Sequence, residues 1–258
     1  MGIDRRKFIT IAGLTAVTAV SKKVFGEDSL LVENIEETIN GKPLTGHRWA
    51  MVIDFRKCLH EEGCTKCMDV CHQIHNVPDF GNPKDEIKWI WKDKFEHVFP
   101  GQEHEHLAEE FHGAPILSLC NHCDNPPCVK VCPTKATFKR EDGIVMMDMH
   151  RCIGCRYCVT GCPYGSRSFN WRDPRPHIKE INKEYPTRSR GVVEKCNFCA
   201  ERLAKGLMPA CTEACPVGAM TFGDLEDSES EVRKLLKEKF TLRRKPNLGT
   251  NPEVYYIV

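Results

Sequence analysis

Sixteen cysteines are the residues of this 258-residue chain best equipped to do chemistry, and they fall into four groups of four. The first is Cys58, Cys64, Cys67 and Cys71, and the second is Cys120, Cys123, Cys128 and Cys132. The third is Cys152, Cys155, Cys158 and Cys162, and the fourth is Cys196, Cys199, Cys211 and Cys215. The third group reads C-x2-C-x2-C-x3-C and is closed by Pro163. In such a run three thiolates hold one iron–sulfur cubane and the fourth reaches the other cluster of a pair. Cysteines two residues apart let a tight loop wrap one cubane, with backbone N–H groups turned towards its sulfides. The fourth sits where the chain leads away. Thiolate is the fitting donor because soft sulfur ligands suit iron–sulfur clusters.

The other groups vary this theme. The second is C-x2-C-x4-C-x3-C followed by Pro133, and the fourth is C-x2-C-x11-C-x3-C followed by Pro216. The first is C-x5-C-x2-C-x3-C, with His72 where the others have proline. The shared C-x3-C ending is an internal repeat.

Other readings of the cysteines fit less well. An even count admits a disulfide framework, but C-x2-C pairs are poor structural bridges and more often redox or metal sites. Zinc usually takes two C-x2-C knuckles, or cysteine mixed with histidine, closing one tetrahedron. Three cysteines from Cys152 to Cys158 suit that poorly. An enzyme using a cluster as its reaction centre needs an iron with an open position, whereas every cysteine here has a slot.

The crossover rule then pairs the groups. Groups two and three are neighbours and form an inner pair: one cluster on Cys120, Cys123, Cys128 and Cys162, the other on Cys152, Cys155, Cys158 and Cys132. Groups one and four flank them. One outer cluster takes Cys196, Cys199, Cys211 and Cys71, the other Cys58, Cys64, Cys67 and Cys215. The expectation is up to four [4Fe-4S] clusters, with the five-residue gap of group one bearing on the last of these. Crossed ligation ties distant parts of the chain together, so cluster binding also supplies folding free energy.

The elements that must position these ligands give an α+β fold: two ferredoxin-like modules, the inner inserted in the outer, cofactor-rich with long loops. Residues 47–113 hold the first half of the outer module plus an insertion, 114–170 the inner module, and 171–258 the second half of the outer module and the C-terminal tail. Residues 136–148 read as a hairpin with its turn at Glu141-Asp142-Gly143. Trp49–Phe55 alternates as a strand entering group one, and Thr221–Gly223 reads as a hairpin arm. Asp227–Phe240 is helix-like, with Val232, Leu235, Leu236 and Phe240 on one face. In the insertion, residues 72–113, Trp89 and Trp91 cover core or an interface. His97, His104, His106 and His112 show no fixed ligand spacing and read as polar loop residues. Residues 172–176 form a stiff connector leading out of the inner module. The formal net charge of +1 argues against nucleic acid as a partner.

The chain opens with Asp4-Arg5-Arg6-Lys7-Phe8, an apolar run from Ile9 to Val20, then Lys22 and Lys23. A basic start, a short apolar run and a polar exit describe a signal peptide, here 1–26. The apolar run is too short for a bilayer core that needs ~20 residues, and no later segment is long and apolar enough. The paired arginines before Phe8 resemble a twin-arginine signal, with Asp4 in place of the usual Ser or Thr. That route carries folded, cofactor-loaded proteins.

The order of the four groups, with x4 in the second and x11 in the fourth, resembles the iron–sulfur beta subunits of the dimethyl sulfoxide and polysulfide reductase family. The resemblance covers most of residues 47–258. The stretches C-H-Q-I-H-N-V-P from Cys71 to Pro78 and C-P-Y-G-S-R-S-F-N-W-R-D-P from Cys162 to Pro174 are closer still to DsrO-type subunits. Those are the exported iron–sulfur subunits of the Dsr transmembrane complex of sulfur-metabolising microbes. The resemblance implies a non-catalytic electron-transfer subunit with an NrfD-like polytopic membrane subunit as docking partner and a multihaem cytochrome nearby. It places the chain on the outer face of the cytoplasmic membrane, held there by its partner and not by a span of its own. Replacing Arg5 and Arg6 together by lysine is expected to leave precursor inside the cell, because a twin-arginine signal is read as an address. Fractionation followed by immunoblotting reads the outcome, and normal export of the double variant would point to another route.

Overall fold

The structure, a computed structural model, describes residues 41–258, and the signal-like segment lies outside them. The strand Trp49–Asp54 is buried on both faces, and its side chains divide by alternation. Trp49, Met51 and Ile53 enter the main core, while Ala50 and Val52 enter a smaller core with Leu225 and Val232. This strand is central in a four-stranded sheet. Met220–Asp224 pairs with it antiparallel and Val254–Ile257 pairs with it parallel, so that Val52 faces Thr221 on one side and Tyr255 on the other. The short strand Thr241–Leu242 completes the sheet.

This sheet brings the chain before group one beside the chain after group four. The central strand runs into group one, and its antiparallel partner leaves group four. Asp54 donates its backbone N–H to the carbonyl of Ala219 at 2.8 Å. The strand stops at Asp54 because that side chain turns to accept the N–H of Lys57 at 3.2 Å, starting the helix Phe55–Leu59 that carries Cys58. Phe55 is therefore the first helical residue, not the last of a strand. Thr221–Gly223 is an arm of this long-range pairing and not of a local hairpin.

The helix near the C-terminus spans Glu231–Glu238, shorter than its sequence pattern. Val232, with Leu235 and Leu236, covers the second face of the sheet. Phe240 falls beyond the helix end and is 76% exposed, so it does not extend that face.

The insertion supplies a strand of its own. Ile90–Lys94 pairs antiparallel with Pro115–Leu119, which delivers Cys120. Trp89 and Trp91 are core residues. Phe95, Phe99 and Phe111 pack with Phe55 and Tyr256 as an aromatic cluster with ring centroids 5.1–6.2 Å apart. The hairpin of the inner module is Thr137–Lys139 with Val145–Met147. Two short helices, Pro127–Lys130 and Tyr157–Thr160, pack on each other, one from each inner cysteine group.

The chain leaves the inner module along Ser168–Phe169, which pairs with Val193–Glu194 just before group four. Around this junction lies a buried polar network. Arg188 and Glu194 form an ion pair at 2.5 Å, both side chains fully buried. Glu194 also accepts from Trp89 Nε1 at 2.9 Å and Asn170 Nδ2 at 2.6 Å, while Arg188 donates to the carbonyls of Asn76 and His75. These bonds join the end of group one, the insertion, the inner module and the entry to group four. Removing one partner of such a pair leaves the other charge buried alone, at about 3–5 kcal/mol. Arg188→Met is expected to lower the thermal midpoint of the cluster-loaded protein, and Arg188→Met with Glu194→Gln to recover part of the loss. Thermal denaturation followed through visible absorbance checks both.

Candidate metal centres

Left-handed backbone positions recur beside the cysteines. In three of the C-x2-C loops the second intervening residue has positive φ: His122 at 41°, Gly154 at 69° and Phe198 at 55°. Three of the C-x3-C endings show a second repeat, with Lys135, Gly165 and Gly218 at φ of 55°, 66° and 58°. Such left-handed positions reverse the chain so that successive N–H groups point into one concavity. The backbone N–H of Thr137 donates to Cys132 Sγ at 3.4 Å, that of Phe198 to Cys196 Sγ at 3.4 Å and that of Ala219 to Cys215 Sγ at 3.2 Å. Group one departs from the pattern. Without a proline after Cys71 the helix Lys66–Ile74 runs on, and the left-handed residue is Asn76, at φ 52°. Gly154 is needed for space as well, since a Cβ there would collide with the carbonyl of Gly191.

The thiols meet in four places. Burial pushes the Cys67 thiol up to about 12, and the neighbouring Cys58, Cys215 and Cys64 add to the shift. Burial raises Cys58 too, with Cys215 and Cys64 beside it. Cys71 is raised strongly by burial and then by Cys196, Cys199 and Cys211. One cavity is lined by Cys120, Cys123, Cys128 and Cys162, and another by Cys132, Cys152, Cys155 and Cys158. None of the sixteen cysteines is in a disulfide. Cys132 differs in direction: burial pulls it up, but N–H donation from Thr137 and the Thr134 hydroxyl outweigh that and lower it.

Adjacent places lie near enough to act on one another electrostatically. Cys67 acts on Cys71 and Cys211, and Cys120 acts on Cys196. Arg167 acts on both Cys128 and Cys158, across the inner pair. The four places therefore form a row: the Cys58 set, the Cys71 set, the Cys120 set and the Cys152 set. Cys71, Cys196, Cys199 and Cys211 are buried, as are Cys120, Cys123 and Cys128, while Cys162 is partly exposed. At the ends of the row Cys58, Cys64 and Cys215, and Cys132, Cys152 and Cys155, are half-exposed.

A profile of the 4Fe-4S dicluster domain matches residues 115–177 and 180–225. Over 274 aligned residues the chain is 40% identical to the Hdr-like menaquinol oxidoreductase iron–sulfur subunit 1 of Archaeoglobus fulgidus, with 98% of this chain and 97% of that protein covered. It is 37% identical over 235 residues to the iron–sulfur cluster-binding subunit of menaquinone reductase from Nitratidesulfovibrio vulgaris, covering 81% and 88%. It is 34% identical over 257 residues to NrfC of Escherichia coli, covering 98% and 95%. The chain belongs to this family of iron–sulfur subunits. The donor sets fit [4Fe-4S] clusters: soft sulfur from each side, backbone N–H groups turned onto sulfur, and little competing carboxylate.

Several residues around the sulfurs carry no signal of their own in the sequence. His75 Nε2 lies 2.8 Å from Glu201 Oε1, its Nδ1 lies 2.9 Å from the Cys71 carbonyl, and its ring stacks on Trp89 at 4.4 Å. His75, Cys199 and Glu201 each bring one ligand atom within 4.8 Å of the others. The histidine–carboxylate hydrogen bond accounts for two of the three. His122 is fully buried, stacks on Phe198 at 3.7 Å and accepts the N–H of Val145 at 3.1 Å. Burial, then Lys195 and Arg167, hold its pKa far below the usual histidine range, so the ring is neutral. Lys195 is itself buried, its Nζ donating to the Cys196 carbonyl at 2.7 Å and to that of Val145. Read as chain, Arg167 and Lys195 are ordinary charges beside cysteines; only folding shows that they are inside. His97, His104, His106 and His112 are exposed and stand apart from the sulfurs.

Proposed function

We propose that this chain relays single electrons through up to four [4Fe-4S] clusters, between a quinone-reactive membrane subunit and another redox partner of a respiratory complex. A bound [4Fe-4S] cluster takes up and gives back one electron. The chain's own residues hold such clusters, exclude water from the middle of the row and leave its two ends near the surface. The observation that carries the reading is the row itself, with seven of its eight central cysteines buried and six of the eight at its ends partly exposed.

The ligand sets we propose are Cys58, Cys64, Cys67 with Cys215; Cys196, Cys199, Cys211 with Cys71; Cys120, Cys123, Cys128 with Cys162; and Cys152, Cys155, Cys158 with Cys132. The division into outer halves 47–113 and 171–258 around an inner module 114–170 follows these sets. The names of the relatives, a menaquinol oxidoreductase subunit and a menaquinone reductase subunit, support a quinone-linked complex. The resemblance to DsrO-type subunits supports an NrfD-like membrane subunit, a multihaem cytochrome and a setting in sulfur metabolism. Among the described residues no helix is long and apolar enough to cross a membrane. We place the chain outside the cytoplasmic membrane, exported through its twin arginines and held by the membrane subunit.

Anaerobically purified protein is expected to hold about sixteen irons, four per cubane. Cys162→Ser is expected to damage the cluster of Cys120, Cys123 and Cys128 and to spare the one held by Cys152, Cys155 and Cys158. Iron analysis with electron paramagnetic resonance of the reduced protein checks this. Four irons or fewer would overturn the reading, and loss at the Cys152 set alone would overturn the crossed assignment.

A further inference from the structure

Arg167, Arg188 and Arg244 are the buried arginines among the described residues, and the first two differ in what neutralises them. Arg188 has the carboxylate of Glu194. Arg167, 4% exposed, has no carboxylate partner among the described residues. Its Nη1 donates to Thr137 Oγ1 at 3.1 Å and lies 3.8 Å from Met147 Sδ. Its Nη2 is buried without a hydrogen-bond partner. The side chain lines the cavity of Cys120, Cys123, Cys128 and Cys162. Burial works against its charge, but Cys128, Cys158 and Cys120 outweigh burial and favour the cation. Two of those sulfurs belong to one inner set and the third to the other.

A buried cation without a counter-charge is strongly unfavourable. Hence the anion that balances Arg167 has to come from the sulfur sets themselves. We propose that Arg167 is a shared counter-charge for both inner clusters and raises the reduction potentials of both. The inference rests on the ligand sets proposed above. The physical reason is simple. A thiolate-bound cubane becomes more negative when it takes an electron, and a fixed cation close to it in a low dielectric stabilises the reduced state more than the oxidised one. Guanidinium keeps its proton in proteins, so the effect does not vary with pH. Because one charge serves both clusters, both potentials move together when it is lost. Thr137, on the strand of the inner hairpin, holds the guanidinium in place through its hydroxyl. The position sits in the stretch that follows group three, and nothing in its spacing from Cys162 marks it as different from a surface charge.

The test is a redox titration of anaerobically purified full chain, followed by electron paramagnetic resonance, for the natural protein, Arg167→Gln and Arg167→Lys. The natural protein's iron content is measured first. If it lacks the inner clusters, the ligand sets fail and this proposal falls with them, before any variant is compared. With full iron, Arg167→Gln is expected to move two potentials to more negative values and leave the other two in place. Arg167→Lys, which keeps the charge, is expected to restore most of the shift. Unchanged potentials in Arg167→Gln, a shift confined to one cluster, or an equal shift in Arg167→Lys would each overturn the proposal. If Arg167→Gln loses inner-cluster iron, Arg167→Lys decides. Full iron with near-natural potentials supports a role for the charge, and the same iron loss shows a role in shape alone.

Discussion

In each place where the sulfurs meet, buried thiols such as Cys67, Cys71, Cys123 and Cys158 hold their protons more tightly than a free thiol does. Burial first, and neighbouring sulfurs after it, push thiols such as Cys67 and Cys196 up to about 12. Each neighbouring sulfur makes a thiolate harder still to form. To hold iron these cysteines would have to give up their protons, and bound iron would tie together the distant segments that carry them. Metal binding is thereby folding free energy, and it depends on pH because ligands must be deprotonated. Most other features of the fold follow from the need to bring such sulfurs together from distant parts of the chain.

The backbone does much of that work. Left-handed residues at His122, Gly154 and Phe198 turn three C-x2-C loops inward, and Lys135, Gly165 and Gly218 turn the chain away after three closing cysteines. Three of these six, His122, Phe198 and Lys135, are not where an unconstrained chain would choose positive φ, since side chains there are strained. His122 and Phe198 stack on each other, which holds both loops in that strained form. Group one takes a different route: a continuous helix carries Cys67 and Cys71 on one side, and packing of Ala210–Glu213 against it brings group four alongside. The sheet between Trp49–Asp54 and Met220–Asp224 then fixes Cys215 beside Cys58.

Much of this was legible before folding. Cysteine spacing announces the metal chemistry because ligand geometry is local, and the hairpin at Thr137–Met147 announces itself through its turn. The strand at Trp49 is legible by alternation. What was not legible depends on long-range contact. Val254–Ile257 lies parallel to Trp49–Asp54, and no local pattern predicts such a pairing. Phe240 fits a helical stripe by spacing, yet the helix ends at Glu238. Arg188 and Glu194 look like surface charges in sequence, and become a buried pair only when the insertion's Trp89 closes over them. Arg167 is hidden for the same reason.

The row of sulfur sets is the centre of the account, and its order is Cys58, Cys71, Cys120, Cys152 by leading cysteine. A single crystallographic measurement at the iron absorption edge, on anaerobically prepared protein, locates the irons directly. The account predicts four iron-rich sites in that order, each bounded by cysteines of two different groups, with Cys71, Cys132, Cys162 and Cys215 as the crossing ligands. Sites each enclosed by the four cysteines of one group, or sites not arranged in a row, would contradict it.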